Sequence, residues 1–165
     1  EIDFADCYMN PIMRKSGLTP DQLMRSRLYM PLKKRPLDTN DVALIGSDLH
    51  LDEDSDLKQL LRGAGRKVHE ITACKTYEEY QQMAESAVYV SSYPSAVAGG
   101  DMLAQRLGGR HVYVPFSYDY EEIERGLNSL AEILDIPAPD FAGKREACTK
   151  ALEKARAAVG EKKEE

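Results

Sequence analysis

The sequence predicts an α/β protein built on a four-stranded parallel sheet. Three observations lead there. Short strand-like segments recur along the chain, as apolar runs at Val42–Ile45, Ala87–Val90 and His111–Val114 and as a weaker alternating one at Val68–Thr72. Each is followed by a segment whose apolar residues repeat at helical spacing. Glycines and capping residues separate the two kinds of segment, so strand and helix alternate regularly. Strands alternating with helices make βα units, whose crossovers are right-handed and whose sheet is parallel.

Each element has its own warrant. Thr19-Pro20-Asp21 starts a short helix, because proline is pre-set for a first helical turn. Leu23, Met24, Arg27 and Leu28 continue it until Pro31 stops it. Val42-Ala43-Leu44-Ile45-Gly46 is a continuous apolar run, the pattern of a strand buried on both faces. Leu57, Leu60 and Leu61 form a helix capped by Asp54 or Ser55 and stopped by Gly63 and Gly65. Val68 to Thr72 reads as a weaker strand near a sheet edge. Thr76 and Glu79 have capping-box spacing, and their helix runs through Tyr80 and Met83 to about Ser86.

Ala87 to Val90 is the third strand. Ser95 opens the third helix of the repeat, with Val97, Met102, Leu103 and Leu107 inward and Gly108-Gly109 as its stop. Gly99-Gly100 in its first turns marks either a close approach of another backbone or of a ligand, or a loosely formed start. The fourth strand is His111 to Val114. Asp119 and Glu122 then make a second capping box, opening a helix that carries Ile123, Leu127, Leu130 and Leu134. Asp140 caps a last helix with a stripe of Phe141, Cys148, Leu152, Ala155 and Val159.

The expected organisation is an N-terminal arm over residues 1–41, an α/β domain over 42–136, and a C-terminal helix with a charged tail over 137–165. The domain is a three-layer, Rossmann-like or flavodoxin-like fold. Its strand order is 2-1-3-4, with helices on both faces and the switch point between the first and third strands.

Composition narrows the function classes. The chain has 165 residues, enough for one domain with an appendage. Its formal net charge of −6 argues against general nucleic-acid or anionic-membrane binding. No apolar run approaches the roughly 18 residues of a membrane span. Cys7, Cys74 and Cys148 form no CxxC pair, and the expected compartment is a reducing cytoplasm. Cys148, on an apolar stripe, reads as a packing residue. The basic islands Arg14-Lys15 and Lys33-Lys34-Arg35 are either solvated faces or attractors of an anionic ligand.

In open parallel sheets ligands bind beyond the carboxyl ends of the strands at the switch point. Two loops meet there: Gly46-Ser47-Asp48-Leu49-His50 after the first strand and Ser91-Ser92-Tyr93-Pro94-Ser95 after the third. Their hydroxyls and amides either suit an anion or serve as helix caps. Neither a GxGxxG nor a P-loop is present, which argues against a standard dinucleotide or triphosphate site. A free-standing mononucleotide-binding flavodoxin would need a hydroxyl-rich loop after the first strand, and that loop is missing. His50, beside Asp48, Asp52, Glu53 and Asp54, offers metal-ligating atoms. The same acids also suit a helix N-terminus, and no ligand-spacing template is met. No metal ligand is assigned. His69 and His111, on predicted strands, read as structural or surface residues.

The order of motifs then becomes informative. V-A-L-I-G-S-D from Val42 is followed by R-G-A-G-R-K-V from Arg62 and T-Y-E-E-Y-Q-Q-M from Thr76. A-V-Y-V-S-S-Y-P-S from Ala87 and L-A-Q-R-L-G-G-R-H-V-Y-V-P-F from Leu103 complete the series. This order resembles the middle domain of nitrogenase component 1 proteins, the molybdenum–iron protein subunits and their relatives, over about Phe4 to Ile136. The resemblance implies one domain of a three-domain parent, with a cut just ahead of the next domain.

In that family the loop after the third strand carries a cysteine that ligates the metallocofactor, and Ser92 stands in its place here. A hydroxyl is a far poorer iron ligand than a thiolate. The family's arm brings a glutamine and a histidine pair over the cofactor. The arm here, from Cys7 to Lys15, has no histidine, and Met9, Met13 and Arg14 fall near those positions. Both departures imply a substrate other than dinitrogen.

The resemblance therefore implies a nitrogenase-like oxidoreductase component. Its parent would take electrons from an ATP-dependent iron–sulfur reductase and pass them through an iron–sulfur or related cluster to a bound substrate. Arg14, Lys15, Gly46, Ser47, Ser92 and Tyr93 are the expected cofactor-binding residues. This piece would hold no cluster and would not be catalytic alone. Its expected partners are the other parent domains, the reductase and further subunits in a homo- or hetero-oligomer. The alternative is a non-catalytic cofactor-assembly scaffold or ligand-binding module of the same fold.

Overall fold

A computed structural model of the chain describes residues 17–159. The chain divides into two compact units, one ending at Ser117 and the other beginning at Tyr118. The first unit carries the sheet. It opens with α1 (Pro20–Arg27), where the Thr19 hydroxyl accepts from the Gln22 amide and the Gln22 side chain accepts from the Thr19 amide.

Strands β1 (Asp38–Ile45), β2 (Lys67–Glu70), β3 (Ser86–Ser91) and β4 (Arg110–Tyr113) form one sheet. The order is β2-β1-β3-β4, as the sequence predicts, and every neighbouring pair is parallel. Between them lie α2 (Asp56–Gly63), α3 (Tyr77–Gln82) and α4 (Val97–Leu107). Ser55 caps α2 through the Lys58 amide. Thr76 and Glu79 complete the expected capping box on α3. Gly108 ends α4 in the left-handed conformation that a C-terminal glycine supplies.

Alternation along the strands sorts the side chains. Ala43, Ile45 and Tyr89 pack on one face with Tyr29, Leu32, Met83, Leu103 and Leu107. On the opposite face Glu70, Leu44, Val90 and Val112 stand in one transverse row, set by the parallel register. Burying the aliphatic rows at roughly 25 cal/mol per Å² supplies most of the drive to fold.

The segment after α1 is fastened to its neighbours. The Arg106 guanidinium donates to the carbonyls of Tyr29, Met30 and Leu32. The Tyr80 hydroxyl donates to the Leu28 carbonyl at 2.8 Å. Arg35, read as part of a basic island, instead pairs with Glu78 and Glu85 at 2.7 and 3.0 Å.

Two further expectations need correction. The second strand ends at Glu70, and Ile71–Ala73 form a 3₁₀ turn rather than further strand. Glu70 already lies opposite Leu44, so β1 has one residue left, and β2 runs out of partner. In the second unit, α5 (Tyr120–Leu134) is capped by Asp119 and buries Leu127, Leu130, Ala131 and Leu134. But α6 (Phe141–Val159) buries no residue. Beyond half-buried Phe141 its predicted stripe is exposed, and Cys148 is exposed rather than packed. An amphipathic pattern states which face a helix would bury; it does not supply the surface that covers it.

Candidate functional site

The loops after β1 and β3 meet at the carboxyl end of the sheet, and a cleft opens between them. It encloses about 380 Å³ including its open mouth. The row residues Glu70, Leu44 and Val90 form part of its wall, joined by Leu57 from α2 and Ile71 from the 3₁₀ turn. Ser47, Ser92 and Tyr93 all line it. The structure thus brings together three of the six sequence-predicted site residues. Gly46 sits at the root of the first loop and is not among the lining residues. Arg14 and Lys15 lie outside the described residues.

Gly46 shapes the cleft through its backbone. Its φ is +82°, and a Cβ there would collide with the Ala96 side chain. The two loops therefore approach as closely as they do because this position has no side chain. Its amide donates to the buried Tyr29 hydroxyl at 2.8 Å. Burial pushes the Tyr29 phenol up to about 12.

Arg25, which the sequence reading passed over, organises both loops. From α1 it donates to the Gly46 carbonyl and forms a two-pronged pair with Asp48, at 3.1 and 2.9 Å. It also holds Asp21 one turn back at 3.1 Å. Its guanidinium lies 5.7 Å from the centre of the Tyr93 ring, within cation–π range. Burial works against the Arg25 charge, yet the bonds to Asp48 and Asp21 prevail and raise its pKa. Asp21 is lowered by a hydrogen bond from Ser95 and by Arg25, with burial opposing them. Ser95 thus ties the second loop to α1. Tyr93 in turn meets Phe116 edge-on, with ring centres 5.4 Å apart. The signal in sequence was only an arginine placed four residues after an aspartate on a helix. Its reach to Asp48 is a tertiary fact.

The polar groups are largely engaged. The Ser47 hydroxyl is turned onto its own loop, donating to the Leu49 carbonyl and accepting from its amide. His50 does meet Glu53, and it also meets Glu70; Lys58 sits among them. Among the described residues no group of three or more His, Cys, Asp or Glu side chains is arranged to hold a metal ion. The cleft's donors are hydroxyl and carboxylate oxygens, which do not fit an iron–sulfur cluster. Of the described cysteines, Cys74 donates its thiol to the Glu70 carbonyl, and burial pushes that thiol's pKa up.

Beneath the other face, the Ser91 hydroxyl lies 2.8 Å from His111 Nε2, and His111 Nδ1 lies 2.7 Å from Asp101. The order resembles a hydrolytic triad, but Ser91 is wholly buried, so no substrate reaches it. Its role is structural. Gly100 is what admits the His111 ring, since a Cβ there would strike it. The approach at Gly100 is thus that of a side chain, neither a backbone nor a ligand, while Gly99 faces the Ser26 backbone. His69, on β2, is likewise structural, paired with buried Asp41 at 2.7 Å.

No curated protein matches the chain. Residues 13–164 match the family described as nitrogenase component 1 type oxidoreductase.

Proposed function

The chain belongs to the nitrogenase component 1 type oxidoreductases, and from that premise we propose that it is one domain of a nitrogenase-like component acting on a substrate other than dinitrogen. In this reading a parent protein, in a reducing cytoplasm, accepts electrons from an ATP-dependent iron–sulfur reductase. It passes them through a cluster held by its other domains. The cleft at the ends of β1 and β3 forms one wall of the cofactor or substrate pocket, and the domain alone is not catalytic.

One observation carries the reading. Ser92, standing where the family has its cluster-ligating cysteine, lines the same cleft as Ser47 and Tyr93. Hydroxyls at that wall bind and orient a ligand; they do not replace a thiolate on iron. Arg25 keeps the wall rigid by tying the Gly46–Asp48 loop to α1 and stacking on Tyr93. Arg14 and Lys15 would approach from the arm.

The all-oxygen donor set also favours a second reading, a cofactor-assembly scaffold that holds a finished cofactor transiently. Iron and acid-labile sulfide per chain, measured on the full-length parent purified without oxygen, separates the two. Several irons per chain support the oxidoreductase component. An iron-free, folded parent supports the scaffold.

A further inference from the structure

We propose that Glu53, His50 and Glu70 form a proton path from solvent into the wall of the cleft; the role rests on the reductive reading above. Glu70 is the one carboxylate in an otherwise aliphatic row, beside Leu44 and Val90, and it lines the cleft. Its side chain is 7% exposed. His50 Nδ1 lies 2.5 Å from Glu70 Oε2, and His50 Nε2 lies 2.9 Å from Glu53 Oε1. Both ring nitrogens thus face a carboxylate, and both outer members, His50 and Glu53, are 46% exposed to water. The three side chains run from solvent to the buried wall without a gap.

Lys58 touches all three side chains. Its side chain is 3% exposed, and its ammonium donates to the Leu51 carbonyl, Glu53 and Glu70 at 2.6, 2.9 and 3.1 Å. It also lies 3.2 Å from His50 Nε2. Arg62 pairs with Glu53 from outside.

Reduction consumes protons as well as electrons. For each electron pair supplied by the iron–sulfur reductase, a substrate S takes two protons and becomes SH₂. In each transfer the Glu70 carboxyl O–H bond breaks and its proton goes to the substrate. The carboxylate left behind takes the Nδ1 proton of the His50 imidazolium. The ring remains as the Nε2–H form with a bare Nδ1; the half-exposed ring then rotates so that Nδ1 meets water, takes a proton there, and turns back as the imidazolium. Two such cycles complete the reduction, and every proton comes from solvent.

The test is NMR of the 165-residue chain itself. The Glu70 carboxyl carbon and the two His50 ring nitrogens are followed against pH. The path requires one shared step: the Glu70 carbon moves with the ring nitrogens by the amount proton sharing produces, as coupled sites do. His50→Asn removes that step from the Glu70 signal. If His50→Asn does not fold, Glu70→Gln reads the same coupling from the ring, which then loses the shared step. A Glu70 signal that shows only a small through-space displacement while His50 titrates overturns the path. So does a Glu70 curve unchanged in His50→Asn. An iron-free parent removes the reduction the path serves and overturns both readings, whereas uncoupled signals overturn the path alone.

Discussion

Gly46 and Arg25 each act at the scale of a single residue, and their substitution separates two kinds of constraint. Gly46→Ala combines backbone strain at φ +82° with a collision against Ala96. Left-handed strain costs about 1–2 kcal/mol and overpacking about 1–3, so the variant loses roughly 2–5 kcal/mol in urea unfolding. Arg25→Lys keeps the charge but loses the fork that grips Asp48 while reaching the Gly46 carbonyl. Its expected cost is about 2 kcal/mol, the worth of hydrogen bonds to a charged group, read from the same measurement. A variant as stable as the wild type would mean that the loops hold their place without the arginine. Neither role was legible in sequence for the same reason. Asp48 and Ala96 are remote in the chain from the residues they constrain, and no local pattern records such a meeting.

At the scale of the element, local rules carried further. Thr76 and Glu79 sit three apart before an apolar residue, and the capping box forms. Thr76→Ala should cost about 1 kcal/mol. A double-mutant cycle with Glu79→Ala should show coupling of about 0.5 kcal/mol or more, because the two residues satisfy each other. Additive effects would mean that the reciprocal bond contributes nothing. The strands were legible because buried parallel strands are continuous apolar runs, and right-handed crossovers leave few orders open. Where the pattern misled, the missing information was the neighbour. Ile71 and Thr72 continue an alternating run, but β1 offers them no further length. The stripe on α6 is real in the sequence, yet beyond half-buried Phe141 it is exposed in the fold. The polar wall of the cleft left a fainter trace. Lys58 on the buried side of α2 and Glu70 among strand residues were local contradictions, and such contradictions mark sites.

For the whole molecule, the alkaline limit of stability follows from two buried phenols. Tyr29 and Tyr89 are both pushed up to about 12, chiefly by burial. The folded state favours their neutral form, so their contribution is complete below the unfolded value near 10. It is lost as pH rises through 10 toward 12. Two units at about 1.4 kcal/mol each give roughly 2–3 kcal/mol per tyrosine by about pH 12. Urea unfolding at about pH 9 and about pH 12 should show the combined loss. Tyr89→Phe should remove about half of it without harm near neutrality, since the Tyr89 hydroxyl has no hydrogen-bond partner among the described residues. An equal loss in the variant would place the alkaline limit elsewhere.

The strand order has a consequence in time as well as in space. Ala43 in β1 pairs with His69 on one side and Tyr89 on the other. During synthesis β1, an inner strand, is the first of the four to leave the ribosome and waits for both flanks, after which β4 completes the sheet beside β3. No hairpin nucleates this topology, and every pairing closes a long loop. Refolding from urea should therefore take milliseconds to seconds rather than microseconds, and the nascent Val42–Ile45 run is the stretch a chaperone would meet first.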